Sequence, residues 1–447
     1  MQDSKATELF EKTPVSKAVL KSALPAMAAM LMVLIYNLAD TFFVSQTHDA
    51  YQVAAVSLAM PVYLMFMAVG TVFGMGGTSV ISRALGQGQT AYAKKVCYFC
   101  MWGCVVVGIL MAAAFLLFMD PVLTMVGASE NTWAYAKSYL VIVSFGGPFV
   151  LISNAFSNII RAEGRSGEAM LGQLLGNLLN VILDPIMILA LGWDVAGAAI
   201  ATVIGNVVGA GCYILYFVRG KSQLSVRIRE LFQPEKVCGP VCVIGIPAAL
   251  GSVLMSVSQI IINSQLAKYG DMAVAGMGVA MKVTIITGMV CMGLGQGVQP
   301  LLGYCVGAKL WERFRKAAWF SLLFALALSA AMTVLCYLFI GPIVSAFLSD
   351  AAAYSYAVEF SRILLTTSFL FGVFYVLINM LQAMGAATPA LIINLSRQGI
   401  IFIPALFLLQ AVMGINGLIW AQPVADILST VLAATLYRRA WCKMAAE

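Results

Sequence analysis

A single histidine, His48, stands in the 447 residues, and charged side chains make up only 10% of the chain, against about 25% in ordinary soluble domains. With one imidazole, in a connection between apolar stretches, neither a histidine-based zinc site nor a Ser–His catalytic pair can be assembled. The ten cysteines are scattered through apolar segments. Cys97, Cys100 and Cys104 share one turn-spaced stretch with no histidine nearby, which reads as small apolar packing and not as a metal centre. No His, Cys or Ser constellation supports catalysis, so the chain is expected not to be an enzyme and to carry no cofactor.

What fills the space is apolar: 62% of the residues. Twelve stretches of about 20 residues or more, from 18–44 to 415–437 and including 354–381, are long enough to cross roughly 30 Å of hydrocarbon as helices. Lipid offers no partners to an open backbone, so the spans must be helical. The net charge of +7 does not point to nucleic acid. Every Lys and Arg except Lys137, Lys268, Lys282, Arg362 and Arg397 falls in the N-terminal segment, the C-terminal tail or the connections after even-numbered spans. That asymmetry places both termini in the cytoplasm of a multi-pass inner-membrane protein. The first apolar stretch is full length and lacks a cleavage pattern, so no removable leader is expected. Residues 1–17 are polar and are expected to be loosely ordered. Between Arg219 and Lys236, the apolar set Leu224, Ile228, Leu231 and Phe232 recurs at helical spacing among basic residues, which predicts an interfacial amphipathic segment.

The chain repeats itself. Asn158, Arg161, Ala162 and Gly164 return 221 positions later as Asn379, Gln382, Ala383 and Gly385; Gly74 returns as Gly295 and Gly86 as Gly307. Pro25 with Pro247 and Pro185 with Pro404 match within two residues of that offset. A repeat of half the chain predicts an all-α membrane protein of two six-helix lobes, 1–220 and 240–447, joined by a cytoplasmic linker, 221–239. Prolines inside the spans, Pro25 and Pro247 above all, are expected to bend their helices.

Asp40 and Asp184 are the two acids of the first half that fall inside apolar spans, where an aspartate costs about 2.5–3.5 kcal/mol on insertion scales. Asn177, Asn180 and Asp184 make a polar stripe on one helix face, Tyr36 precedes Asp40 by one turn, and Thr202 falls at a similar depth. Carboxylate, amide and hydroxyl oxygens converging away from water suit a proton or a small hard cation, the two competing for one place. The repeat separates scaffold from function. Asp40 has Ile261 or Ile262 as its counterpart and Asp184 has Ile403, so the acids exist in one lobe only. In the second half Arg397 and Asp426 lie at matching depths and are expected to pair, while Lys282 is a further charge inside a span.

These residues resemble the multidrug and toxic compound extrusion (MATE) family of secondary transporters over nearly the whole chain. The resemblance is carried by Pro25, Asn37 and Asp40; by Gly86; by Arg161–Gly164; by Asn180 through Asp184–Pro185; by Gly197–Thr202; and by Gln299–Pro300 with Gly303 and Gly307. It implies two six-helix lobes related by a pseudo-two-fold axis along the membrane normal, and exchange of Na⁺ or H⁺ for organic cations or amphipathic drugs by a monomer. It carries the coupling-ion site to Asp40, Asn180, Asp184, Thr202 and the carbonyl of Ala198; with sodium as the ion, Asp40, Asn180, Asp184 and Thr202 would be its ligands. Tyr36, Asn37, Tyr139, Asn154, Asn158 and Asn177 are further candidates for the cavity or substrate. Helix 7 offers only Ser258, Gln259 and Asn263, and helix 10 has no mid-span acid, which resembles the bacterial branch that couples through the first lobe. Lys282 and Arg397 keep a second reading open, a flippase of the same superfamily acting on a lipid-linked or amphipathic substrate.

Overall fold

The computed structural model describes residues 7–46, 50–220, 222–224, 226, 236–347 and 350–446. His48 and most of the stretch expected to be amphipathic, including Ile228, Leu231 and Phe232, lie outside them. The described residues form helices and turns without a strand. Eleven helices are long and apolar enough to cross a membrane, and a bent pair supplies a twelfth.

In chain order the spans are α1 (Val15–Ser45), α2 (Ala50–Gly86), α3 (Thr90–Leu117), α4 (Glu130–Ala162), α5 (Ser166–Asp184) and α6 (Asp194–Val218). The second half gives α7 (Cys238–Leu266), α8 (Asp271–Gly307), α9 (Trp311–Leu338), α10 (Ala351–Ser368 then Phe371–Ala383), α11 (Ala387–Leu395, running on to Phe402–Met413) and α12 (Ile415–Ala446). The expected single span 354–381 is bent by 48° between its two helices. The N-terminal segment is more ordered than its polarity suggested: Glu8–Lys12 is a π-helical turn, with the ring of Phe10 completely buried. One apolar side chain is enough to anchor a short polar segment when a pocket receives it whole.

The prolines do not break their helices: α1, α2, α4, α7, α8 and α12 run continuously through Pro25, Pro61, Pro148, Pro247, Pro300 and Pro423. The backbone instead widens beside Pro185 and Pro404, where π turns occupy Pro185–Ala190 and Ser396–Ile400. Leu191 N–H reaches the Ile186 carbonyl at 2.9 Å, and Ile401 N–H reaches that of Ser396 at 2.9 Å. Such widened turns are rare and occur often at functional sites.

Contacts divide the chain into two compact units. One holds Met1–Lys12 and Ala28–Ala249; the other holds Thr13–Met27 and Leu250–Glu447. The division falls within α1 and α7, two or three residues past the paired prolines Pro25 and Pro247. Within the first unit α2 packs most extensively on α4, and α4 and α5 pack on α6; within the second the same roles fall to α8 on α10, and to α10 and α11 on α12.

The repeated motifs have physical reasons. A Cβ on Gly74 would lie 3.0 Å from the Ala155 Cα, and one on Gly295 would lie 2.8 Å from the Tyr375 carbonyl oxygen, so both glycines let helix pairs meet backbone to backbone. Asn158 Nδ2 donates to the Asn154 carbonyl at 3.0 Å and Asn379 Nδ2 to that of Tyr375 at 2.8 Å. Gly164 and Gly385 both take φ of +75° as they end their helices, a conformation other residues adopt only at a steric cost.

Candidate ion-binding site

The first unit gathers its polar residues at one place. Helices α5 and α6 approach unusually closely there: a Cβ on Gly176 would lie 2.6 Å from the Gly205 carbonyl oxygen, and one on Gly205 would lie 2.7 Å from that of Gly176. That contact sets Asn180, one turn after Gly176, against Thr202, and Asn180 Nδ2 donates to Thr202 Oγ1 at 3.2 Å. The phenol hydroxyls of Tyr36 on α1 and Tyr139 on α4 both interact with the same Thr202 hydroxyl. Asp40 lies near enough to Asp184 for its charge to bear on that carboxylate, and both charges bear on Tyr139.

The unpartnered oxygens define what this cluster can do. Asp184 is completely buried, and neither of its carboxylate oxygens has a hydrogen-bond partner. Asp40 Oδ1 and Asn180 Oδ1 are likewise buried without a donor. A carboxylate stripped of water and given no donor is costly, and a proton or a cation removes that cost. The acceptors are all hard oxygens, a donor set that suits a small hard cation and not a soft transition metal. Among the described residues no group of three or more His, Cys, Asp and Glu side chains could hold a metal ion. A cation here would therefore be bound by two carboxylates together with amide and hydroxyl oxygens.

Two members of the cluster were missed from sequence. Tyr63 on α2 interacts through its hydroxyl with Tyr36 and with Asn206, and Asn206 Nδ2 donates to the Thr202 carbonyl at 2.9 Å. Asn206 was findable, since it follows Thr202 by one helical turn on the same face. Tyr63 carried no signal, being one aromatic among many in an apolar helix.

Not every candidate joins the cluster. Ala198 is completely buried one turn before Thr202 on α6. The Asn177 amide nitrogen is buried without a partner one turn before Asn180, while Asn37 is half-buried on α1. The amides of Asn154 and Asn158 are engaged in helix packing: Asn154 Nδ2 donates to the Met67 carbonyl at 2.7 Å and to Thr71 Oγ1 at 3.1 Å, and Asn158 Oδ1 accepts from Arg161 at 3.0 Å.

In the second unit the expected Arg397–Asp426 pair is formed, with Nε donating to Oδ1 at 2.8 Å. Lys282 stands over the Phe347 ring, 4.8 Å from its centre.

A bundle of membrane-crossing helices built twice, with buried unpartnered carboxylates in only one copy among the described residues, has the architecture of a transporter. Comparison with known proteins sharpens this. The MatE family model matches residues 25–186 and again 247–408, one copy in each half. The multidrug export protein MepA of Staphylococcus aureus is 32% identical over 428 residues, covering 95% of this chain and 94% of that protein. MepA of Staphylococcus haemolyticus is 32% identical over 425 residues, covering 95% and 93%. Among solved structures, the outward-facing form of a multidrug resistance MATE family transporter of the MOP superfamily superposes with a TM-score of 0.95 at 23% identity, over 100% of both chains. A MOP superfamily transporter from Pyrococcus furiosus, described as having a binding pocket of reverse polarity that suggests a different function, gives 0.92 at 23% identity, over 100% of this chain and 99% of that one. The chain belongs to the MATE family of transporters.

Proposed function

We propose that the protein is a drug exporter: an antiporter that moves organic cations or amphipathic drugs out of the cell in exchange for H⁺ or Na⁺, which binds at Asp40, Asn180, Asp184 and Thr202. The observation that carries this reading is the pair of buried carboxylates, Asp184 with no donor on either oxygen and Asp40 with none on Oδ1. With both ionised, the first unit presents uncompensated negative charge, which favours a cationic substrate and the coupling ion alike. Capture of the ion or proton neutralises the cluster, lets α1 and α5 repack, and weakens the hold on substrate. The difference in affinity between the two states supplies the coupling. One charge entering down 100 mV adds about 2.3 kcal/mol to whatever the concentration gradient provides. The protein acts in the bacterial inner membrane, with both termini cytoplasmic.

The flippase reading would draw support from free positive charge in the second unit. Arg397 is neutralised by Asp426 at 2.8 Å, so this arginine does not favour it.

Dye efflux from vesicles with separately imposed Na⁺ and pH gradients tests the proposal and selects the ion. Asp184→Asn is expected to abolish gradient-driven efflux while the purified protein keeps its helical content and melting temperature. Efflux at the wild-type rate in that variant overturns the assignment.

A further inference from the structure

The second unit carries a polar centre of its own, built on the counterpart of a residue that belongs to the first unit's cluster. Setting Gly197 on Gly417 and Ala201 on Ala421, a shift of 220 positions, brings Thr202 onto Gln422 and Asn206 onto Asp426. The geometry supports this register: Gly197 lies against the Met187 carbonyl at the end of the preceding helix, and Gly417 lies against that of Leu409. Asp426 thus occupies, on α12, the position of a cluster member on α6.

The two centres differ in how their carboxylates are satisfied. Asp184 has no donor on either oxygen. Asp426 Oδ1 accepts from Arg397 Nε at 2.8 Å and from Gln422 Nε2 at 3.0 Å, and Oδ2 accepts from Thr367 at 3.4 Å. The guanidinium is itself enclosed by aromatic faces, 4.9 Å from the centre of Phe371, 4.6 Å from Phe374 and 5.6 Å from Tyr375, whose hydroxyl lies 3.4 Å from Nη1. Rings at these distances favour a cation by their electron-rich faces. Arg397 sits on the π turn Ser396–Ile400, which the pairing of Pro185 with Pro404 sets opposite the stretch of α5 that carries Asn177 and Asn180.

We propose that Asp426 is a second cation site of the duplicated fold, filled by the tethered guanidinium of Arg397, so that removing Arg397 opens it to a monovalent cation, Na⁺ or H⁺. An arginine suits the task because it stays charged at every physiological pH and cannot leave. Taking it away strands a buried carboxylate, a situation costly enough to recruit a replacement charge. Asp426, the Thr367 hydroxyl and the Gln422 amide oxygen, after rotation of that amide, supply hard oxygen ligands. Among the described residues, the further titratable group facing the Arg397–Asp426 pair is Tyr375. The centre explains why a duplicated transporter couples through one half, and it extends the reading of Asp40 and Asp184 given above.

The test counts cations on the purified full-length protein in nanodiscs, as bound sodium-22 at constant pH and, in sodium-free buffer, as protons taken up on acidification. Arg397→Ala is expected to bind roughly one cation more than the wild type, as sodium or as proton, because a single buried charge is uncovered. The double variant Arg397→Ala with Asp426→Asn is expected to return to the wild-type count, and Arg397→Lys to keep it. If Arg397→Ala is unstable, its melting temperature is expected to rise with sodium or with acid, and the double variant to lose that rise. A wild-type count in both arms, an extra cation that survives Asp426→Asn, or an unstable Arg397→Ala that neither sodium nor acid rescues overturns the proposal. Asp184→Asn in the same assay reports on the first unit: cation binding that depends on Asp184, without a gain in Arg397→Ala, sinks this inference and leaves the proposed function standing.

Discussion

Glu163, the residue before the left-handed Gly164, shows how much one side chain can organise. It is buried at the end of α4 and accepts from the Ser222 hydroxyl at 2.7 and 2.8 Å, the Gln223 and Leu224 backbone at 2.8 and 3.2 Å, and Tyr216 at 3.0 Å. It thereby fastens the start of the inter-lobe connection to the first unit. Burial pushes its carboxyl above the ordinary carboxylate range, and the four donor groups pull it part of the way back. Glu163→Ala leaves those donors unmet and is expected to cost about 1–3 kcal/mol in a denaturant or thermal melt. A carboxyl that holds its proton more tightly when folded stabilises most below its unfolded pKa, about 4.3, and loses that contribution as pH rises through the folded value. The melting temperature of the wild type relative to Glu163→Gln is therefore expected to fall as pH rises above the unfolded pKa. A difference that grows with pH would mean that the donors outweigh burial.

Among helices, the pattern of apolar length made the spans legible, and the duplicated glycines and asparagines, read only as a repeat, prove to lie where α2 meets α4 and α8 meets α10. The bend in α10 was not legible, because Thr367–Phe371 holds no proline or glycine. The π turns were half visible: Pro185 and Pro404 announced a disturbance, but nothing in the residues says whether a helix will kink or widen. Helix contacts also yield sharp expectations. Gly205→Leu forces α5 from α6 and is expected to cost about 1–3 kcal/mol, as overpacking does, and to reduce gradient-driven efflux by separating Asn180 from Thr202. Gly164→Ala and Gly385→Ala place a side chain where φ is +75° and are each expected to cost about 1–2 kcal/mol in melting experiments.

At the scale of the whole chain, the repeat and the long apolar runs predicted the most. Twelve spans, two copies and a MATE resemblance all followed from residues alone, because lipid permits few architectures. The candidate site was legible to the extent that its members were rare. Two acids in apolar spans stand out, whereas Tyr63 is hidden among many aromatics and the ring-lined setting of Arg397 depends on α10, which only folding brings near. Orientation is open to direct measurement. Cys238 and Cys442 are exposed at the ends assigned to the cytoplasm, so a membrane-impermeant maleimide is expected to label them in inverted vesicles and to leave intact cells unlabelled.

The matched packing of Gly74 with Gly295, and of Asn158 with Asn379, has a consequence for random mutagenesis. Constraints of architecture are written twice, so positions intolerant for structural reasons should surface as twins about 221 places apart. Those intolerant because they handle the ion should surface alone, with a permissive residue at the twin position. A saturation screen would then sort scaffold from chemistry by arithmetic on residue numbers, before any transport is assayed.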